Sequence, residues 1–268
     1  MNDIEAILFD MNGTLRMREP HEPTQRAAID RIRSLLGMEN ISDAYLDELT
    51  RRQKAYSLWA QENLLQLSEE DIWTRWILPD VPPERIKPVA AELTLAWSER
   101  KGRTVPKPGA EETLLELKRR GYRLGIISNT MSTIDIPRSL DVYGWRDIFE
   151  VVILSSALKC RKPAPEIFRE ATRKMRVEPV NCAYLGNRIS RDVVGCRNAG
   201  FPLAIIIEPG GKPRTDELDQ IAKPDVVIHS LGELLNIFPG RFSSRKEDRP
   251  LVNPVPESSL FPGKWKKH

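Results

Sequence analysis

The chain has 268 residues, of which 40% are hydrophobic and 29% are charged, and its formal net charge is +3. These values are typical of a soluble globular protein that is large enough for one α/β core and a smaller inserted domain. No apolar run reaches the roughly 20 residues that a membrane helix needs, and the acidic N-terminal end argues against a signal peptide.

Short apolar segments rich in branched residues alternate with amphipathic segments along most of the chain. The predicted strands are residues 4–9, 123–127, 151–154, 182–185, 203–207 and 226–228. The predicted helices between them are residues 110–120, 165–175 and 192–199. Strands that alternate with helices over short connections favour a parallel sheet with helices on both faces. We therefore predict an α/β fold with a Rossmann-like parallel sheet.

The interval from residue 20 to residue 102 breaks this alternation. It contains no convincing strand and four predicted helices, near residues 24–36, 42–63, 69–78 and 83–100. Four of the six tryptophans lie in it, and we interpret them as its core rather than as stacking platforms. We therefore predict a helical cap over residues 20–102, inserted into an α/β core of residues 1–19 and 103–239.

The last segment, residues 240–268, has a different composition. It carries seven Lys/Arg and three Asp/Glu, a net charge of +4, together with four prolines and no apolar periodicity. We predict a flexible basic tail, and a solvated end is favoured over a surface that binds RNA or a membrane. The three scattered cysteines lack the spacing of a disulfide framework or a zinc site, which indicates reduced thiols in a cytoplasmic protein.

The first predicted strand runs directly into Asp10, and a short loop that contains Gly13 and Thr14 follows it. A carboxylate at the C-terminal tip of a buried strand, facing loop amides, is a natural nucleophile for phosphoryl groups. Further polar side chains are predicted to follow later strands of the same sheet, namely Ser128, Asn129, Lys162, Asn187 and Asp192. Each is weak evidence alone, because turns and surfaces use the same residue types. Together they are expected to converge on one crevice at the carboxyl edge of the sheet.

This order of segments resembles the four motifs of the haloacid dehalogenase-like hydrolases, over about residues 4–208. Two segments are specific in combination: Lys-Pro-x-Pro-x-x-Phe from Lys162, and Gly-Asn-x-x-x-x-Asp-x-x-Gly-x-x-x-Ala-Gly from Gly186. The helical insertion after the first motif is similar to the cap of the subfamily that closes over small substrates.

The resemblance implies a Mg²⁺-dependent phosphatase or phosphoryl-transfer hydrolase that acts on a small phosphorylated metabolite. Asp10 would be the nucleophile that becomes an aspartyl-phosphate, and Lys162 would neutralise charge on both reacting groups. The residues expected to bind the phosphoryl group are Ser128, Asn129, Lys162, Gly13 and Thr14. The groups expected to hold Mg²⁺ are the Asp10 carboxylate, the backbone carbonyl of Asn12, Asp192 and, directly or through water, Asn187.

Two positions depart from the family pattern. Asn12 stands where the family has a second aspartate, which protonates the leaving group and then deprotonates the attacking water. An amide cannot exchange a proton in this way at neutral pH, and general acid–base catalysis contributes about 10²–10⁴ in rate. Asn187 replaces the commonest residue, aspartate, which lowers the expected metal affinity but keeps an oxygen ligand. The sequence also leaves open that Asn12 is an engineered replacement of a natural aspartate.

Two other functions stay open at this point. One is a catalytically weak protein that binds a phosphorylated ligand or a protein partner. The other is a metal-independent 2-haloacid dehalogenase, since those enzymes use an aspartate nucleophile without the second aspartate. The spacing of Asn187 and Asp192 argues against the dehalogenase, and Phe168 stands where that subgroup has a tyrosine.

Three basic residues follow the first motif: Arg16, Arg18 and His21. They could approach the mouth of the site, but a surface linker is the favoured interpretation of each. We do not expect a membrane as a partner. We do not expect a nucleic acid either, although the basic tail leaves a small chance of one. The oligomeric state and the substrate cannot be read from the sequence.

Overall fold

The computed structural model describes residues 3–38, 40–208 and 222–241. Its strands, in chain order, are β1 (Ala6–Phe9), β2 (Arg16–Glu19), β3 (Arg103–Pro106), β4 (Arg123–Ser128), β5 (Val151–Leu154), β6 (Cys182–Gly186), β7 (Leu203–Ile207) and β8 (Val226–Ile228). Six of them form one sheet in the order β5-β4-β1-β6-β7-β8, and every neighbouring pair is parallel. The predicted α/β fold class is confirmed.

Helices occupy most of the connections between these strands and the described segment after β8. They are α1 (Glu22–Leu36), α2 (Asp43–Asn63), α3 (Glu69–Ile72), α4 (Pro83–Ile86), α5 (Ala90–Glu99), α6 (Ala110–Arg119), α7 (Asp135–Tyr143), α8 (Ser155–Leu158), α9 (Pro165–Met175), α10 (Val194–Asn198) and α11 (Leu234–Ile237). Single π-helical turns, Trp73–Ile77 and Ile189–Val193, follow α3 and precede α10. The sequence pattern did not predict α7, α8 or α11.

Strand β1 lies in the middle of the sheet and is buried on both faces. Ile7 and Phe9 belong to the apolar cluster on one face, and Ala6 and Leu8 belong to the cluster on the other. A strand buried on both faces reads as a continuous apolar run, which is why the sequence identified it. Because β1 ends at Phe9, the next residue, Asp10, lies at the carboxyl edge of the sheet.

The chain between β2 and β3 forms α1–α5, with an apolar cluster of its own. Trp73 and Trp97 are buried in this cluster, while Trp59 and Trp76 are half-buried and pack against it. Strands β2 and β3 pair antiparallel and carry the chain out of the core and back. The sequence analysis did not predict these two strands, because their sequences are largely polar. The division into a core of residues 1–19 and 103–239 and a cap of residues 20–102 remains our proposal.

Within the described residues, no helix combines the length and the apolar character that a membrane crossing requires. The predicted basic tail lies outside the described residues, except for Gly240 and Arg241. Arg241 contacts the core, because its guanidinium donates to the carbonyl of Ile4 at 2.6 Å. Cys160, Cys182 and Cys196 are free thiols, and burial raises the pKa of Cys182 and of Cys196 to about 12.

Candidate active site

A cavity of about 510 Å³ lies between the carboxyl edge of the sheet and the helical insertion. The loop after β1, the ribbon of β2 and β3, helix α5 and the loops after β4 and β6 all contribute to its walls. This volume lies within the range of about 300–1,000 Å³ that is typical of small-molecule sites. Three of the residues that the sequence singled out line this cavity, namely Asn12, Gly13 and Asn187. Four others form a buried cluster that we call the floor of the site, namely Asp10, Ser128, Lys162 and Asp192.

Lys162 is the central residue of that floor. Its ammonium donates to Asp10 Oδ1 at 2.8 Å, to Asp192 Oδ1 at 2.7 Å and to the Tyr184 hydroxyl at 2.7 Å. An ammonium has three donors, so all of its protons are used. The side chains of Lys162 and Asp192 are each 1% exposed, and that of Asp10 is 7% exposed. Buried charges persist only when they are paired and hydrogen-bonded, and this cluster meets that condition.

Asp192 uses both carboxylate oxygens within the protein. Oδ1 accepts from Lys162, and Oδ2 accepts from the backbone N–H groups of Asn187 and Arg188, each at 3.0 Å. Burial favours a raised pKa for Asp192, but Lys162, Arg191 and the Asn187 amide together lower that pKa below its usual value. Asp192 is therefore ionised at neutral pH and holds Lys162 and the loop after β6 in place.

The nucleophile candidate Asp10 is flanked by two hydroxyl groups. Thr14 donates to Asp10 Oδ2 at 3.3 Å, and Ser128 donates to Asp10 Oδ1 at 3.4 Å. Both contacts are longer than the usual O–H···O distance of about 2.7–2.8 Å, so the hydroxyls are not tightly bound to Asp10. Both still lie beside its carboxylate, where they could donate to an oxygen atom of a group attached to Asp10.

Lys162 does not follow a strand, contrary to prediction, because α8 intervenes between β5 and the loop that carries it. Asn129 compensates for this. Its side chain donates to the Lys162 carbonyl at 3.0 Å and accepts from the Lys162 N–H at 2.9 Å. Asn129 therefore fixes the backbone of Lys162, a role that the sequence did not suggest.

Arg16 is not part of a surface linker, so that prediction is wrong. Its side chain is 1% exposed, and it donates through Nε to Asn12 Oδ1 at 2.8 Å. The other two nitrogens pair with the carboxylate of Asp135, at 3.1 and 2.7 Å. Because Asp135 lies on α7, 119 residues away, no local pattern could have revealed this ion pair. The Asn12 amide is thus held by a buried cation.

Arg18 and His21 also differ from the predicted linker. Arg18 lines the cavity, and its guanidinium donates to the backbone carbonyls of Ser98 and Gly102. Burial lowers the pKa of Arg18, while Asp135 opposes that change. His21 is the N-cap of α1 and accepts from the Thr24 N–H at 3.3 Å. Both residues therefore make hydrogen bonds within the protein.

Two aromatic residues near the site have structural roles. The Tyr184 hydroxyl accepts from Lys162 and donates to the Ile127 carbonyl at 3.0 Å. Burial, followed by the charges of Asp192 and Asp10, raises the pKa of Tyr184 well above its usual value, so it stays protonated. Phe168 packs against the Tyr184 ring at 5.0 Å between centroids and is fully buried. The sequence analysis missed Tyr184, because a tyrosine in a buried strand is ordinary core.

A metal ion would find oxygen donors at this floor. Asn187 Oδ1 is buried and accepts no hydrogen bond within the described part of the chain. Asn187 also lies directly on the loop after β1, since a Cβ at Gly13 would come within 2.1 Å of its Nδ2. The described residues contain no group of three or more His, Cys, Asp or Glu side chains that could hold a metal. Mg²⁺ nevertheless accepts one or two carboxylates with waters and substrate phosphate, so Asp10, the Asn12 carbonyl and Asn187 suit it.

The sequence profile described as haloacid dehalogenase-like hydrolase matches residues 4–200. The chain belongs to this hydrolase family. The resemblance stated from the motifs is therefore confirmed, and the six-stranded parallel sheet agrees with it.

Three relatives of this hydrolase show how far the similarity extends. The glyceraldehyde 3-phosphate phosphatase of Methanothermobacter thermautotrophicus is 32% identical over 50% of this chain and 58% of that protein, little more than half its length. The protein of the same name from Methanopyrus kandleri is 27% identical over 87% of this chain and 97% of that protein. The crystal structure of a HAD phosphatase from Thermococcus onnurineus has a TM-score of 0.56 and 25% identity, over 88% of this chain and 99% of that chain.

The buried charge cluster of the hydrolase predicts a pH-dependent loss of stability in Lys162→Met. Removal of the cation leaves Asp10 and Asp192 buried without the ammonium that pairs with both of them, which costs about 3–5 kcal/mol of unfolding free energy at pH 7. In the unmodified protein the lowered pKa of Asp192 stabilises the folded state at pH values above about 3.9, the pKa of an aspartate in the unfolded chain. This stabilisation is lost as pH falls through the pKa of Asp192 in the folded state. In the variant, burial instead raises the pKa of Asp192, so the deficit shrinks as pH falls toward 4.

Urea unfolding between pH 4 and pH 8 measures this difference. Lys54→Met, on the exposed surface of α2, is the matched control and should stay within about 0.5 kcal/mol of the unmodified chain. A deficit in Lys162→Met that stays constant across this pH range would contradict the assignment of the charges.

Proposed function

We propose that this hydrolase is a Mg²⁺-dependent phosphatase of a small phosphorylated metabolite, with Asp10 as the nucleophile. The observation that carries the proposal is the buried contact of Lys162 with Asp10 and Asp192, which supplies a positive charge beside a strand-end carboxylate. The names of the two archaeal relatives support a phosphorylated metabolite as the substrate. We also propose a cytoplasmic location, which the three free cysteines support.

The reaction would proceed in two displacements at phosphorus. The Asp10 carboxylate attacks, the bond to the leaving oxygen breaks, and that oxygen departs with the electron pair. Water then attacks the phosphorus of the aspartyl-phosphate, and the bond from phosphorus to the Asp10 oxygen breaks. The proton that the water loses passes to solvent, from which the departed oxygen is protonated, and phosphate and the Asp10 carboxylate are released. Lys162 offsets negative charge on Asp10 and the transferring group, while Ser128 and Thr14 donate hydrogen bonds to its oxygens.

Mg²⁺, when bound, would offset charge on the phosphoryl oxygens and align them for in-line attack. In the proposed site it would be held by the Asp10 carboxylate, the backbone carbonyl of Asn12 and Asn187. The predicted direct ligand Asp192 is better suited to a positioning role, because Lys162 and two backbone amides already occupy its oxygens. Because Asn12 and Asn187 are neutral, the proposed site carries less negative charge than it would with aspartates at these two positions.

Asn12 should slow the second displacement more than the first. A leaving group that is stable as an anion needs no proton, so the first displacement proceeds without an acid at position 12. The attacking water, in contrast, must lose a proton, and the Asn12 amide cannot accept it. Arg16 reinforces this limit, since its Nε–H fixes the amide oxygen of Asn12.

This asymmetry predicts a burst with p-nitrophenyl phosphate and Mg²⁺. The unmodified chain should release about one p-nitrophenolate per chain rapidly and then turn over slowly, because the aspartyl-phosphate persists. Asn12→Asp should raise the rate of the slow phase by about tenfold to a thousandfold. This range lies below the full contribution of general acid–base catalysis, because the neighbouring Arg16 would make the new carboxylate a weaker base. Stopped-flow absorbance measures both phases.

Two control variants accompany the burst experiment. Asp10→Asn should abolish the burst, and Asn198→Asp, a surface change on α10, should leave both phases unaltered. Absence of a burst in the unmodified chain together with tight binding of phosphate would instead favour the binding protein, the alternative that the fixed amide of Asn12 supports. Release of halide from a 2-haloacid without metal would favour the dehalogenase.

The neutral side chain of Asn187 predicts weak Mg²⁺ binding in the absence of phosphate. Asn187→Asp adds a full negative charge to the donor set and should tighten Mg²⁺ binding by roughly tenfold, since ligand charge sets affinity at such sites. Isothermal titration calorimetry with MgCl₂ measures this directly and does not depend on turnover. Asn198→Asp again serves as control, and equal affinities in all three proteins would contradict the proposed ligand set.

A further inference from the structure

The walls of the cavity carry an excess of positive charge. Among the described residues, its cationic lining residues are Arg16, Arg18, Lys101, Arg188 and Arg191, and its acidic lining residue is Asp135. Both carboxylate oxygens of Asp135 accept hydrogen bonds from Arg16. Positive charge therefore exceeds negative charge in the described wall of the cavity.

Lys101 lies between α5 and β3, on the cap side of the cavity. In the part of the chain that the structure describes, its ammonium forms no salt bridge and no hydrogen bond. Burial lowers the pKa of Lys101, and Arg100 and Arg18 lower it further. No neighbouring acid opposes these effects, so the surroundings of Lys101 favour the arrival of an anion.

Two neighbours extend this positive wall. The Arg18 guanidinium donates its hydrogen bonds to uncharged oxygens, namely the carbonyls of Ser98 and Gly102 and the Ser98 hydroxyl. Arg191 lines the same cavity from the core side and lies next to Asp192 in the chain. An anion in the cavity would thus meet cations from the cap side and from the core side.

We propose that the substrate carries a second anionic group, a carboxylate or a second phosphate, which Lys101 binds while the first phosphate lies at Asp10. This inference rests on the proposed phosphatase function. A hydrogen bond between the Lys101 ammonium and an anion is stronger than one between neutral groups, so such a substrate is preferred over one with a neutral far end. Glyceraldehyde 3-phosphate, with its neutral aldehyde, would then be a poor ligand for this chain.

Two matched ligand pairs test the proposal by isothermal titration calorimetry, with Mg²⁺ present and Asp10→Asn used to prevent turnover. The first pair is 3-phosphoglycerate and glyceraldehyde 3-phosphate. The second pair is fructose 1,6-bisphosphate and fructose 6-phosphate. The members of each pair share a carbon skeleton but differ by one anionic group, a carboxylate in the first pair and a phosphate in the second.

We expect the doubly anionic member of at least one pair to bind roughly tenfold to a hundredfold more tightly, the range of one charged hydrogen bond. The pair that shows the preference identifies the second group as carboxylate or phosphate. Lys101→Met, combined with Asp10→Asn, should remove the preference and leave the singly anionic ligands within about twofold. Lys87→Met, an exposed lysine elsewhere in the cap, should leave the preference intact.

Other outcomes overturn the inference in distinguishable ways. Equal binding within both pairs, or a preference that survives Lys101→Met, would refute the second anionic site while the phosphate site stands. Failure of all four ligands and of inorganic phosphate to bind would refute the proposed function together with the inference.

Discussion

The active-site floor depends on one buried ammonium between two buried carboxylates. Lys162 contacts Asp10 and Asp192 at 2.8 and 2.7 Å, and these side chains come from three separate parts of the chain. Each of them would be unfavourable in the core alone, because a buried charge without a partner costs several kcal/mol. The contact therefore fixes the end of β1 and the loops before α9 and after β6 relative to one another.

Several neighbouring features follow from this constraint. Asn129 fixes the backbone of Lys162 because no strand does so. Gly186 ends β6 because a Cβ there would lie 2.3 Å from the Asp192 Cγ. Tyr184 supplies the third acceptor that the ammonium requires and stays protonated beside two carboxylates. The proposed nucleophile is thus held with its charge balanced, while its Oδ2 accepts a hydrogen bond from the Thr14 hydroxyl.

The two asparagines of the site have different surroundings. Asn12 is engaged by Arg16, which Asp135 neutralises, so an amide at position 12 is compatible with the charges around it. An aspartate at this position would share Arg16 with Asp135, and the cation would keep it ionised. Asn187 instead has a buried side-chain oxygen that accepts no hydrogen bond from any residue placed by the structure, as a ligand to a cation would. In our account the first asparagine limits proton transfer, and the second weakens metal binding.

Much of this molecule could be predicted from the sequence, and the exceptions share a physical cause. Each strand of the large sheet matched a predicted one, because buried parallel strands are continuous apolar runs. The motif residues could be identified because their order along the chain is specific. The partners that hold them could not: Tyr184 looks like core, and the ion pair of Arg16 and Asp135 joins distant segments. Strands β2 and β3 are polar, and only their mutual pairing makes them strands.

We propose that Asp10 accepts a phosphoryl group and that Asn12 delays its release. Intact-protein mass spectrometry after incubation with acetyl phosphate and Mg²⁺, followed by peptide mapping, would detect such a group. We expect one phosphoryl group per chain, on Asp10, that persists longer in the unmodified chain than in Asn12→Asp. A chain that acquires no phosphoryl group, or one phosphorylated on a residue other than Asp10, would show that the proposal is wrong.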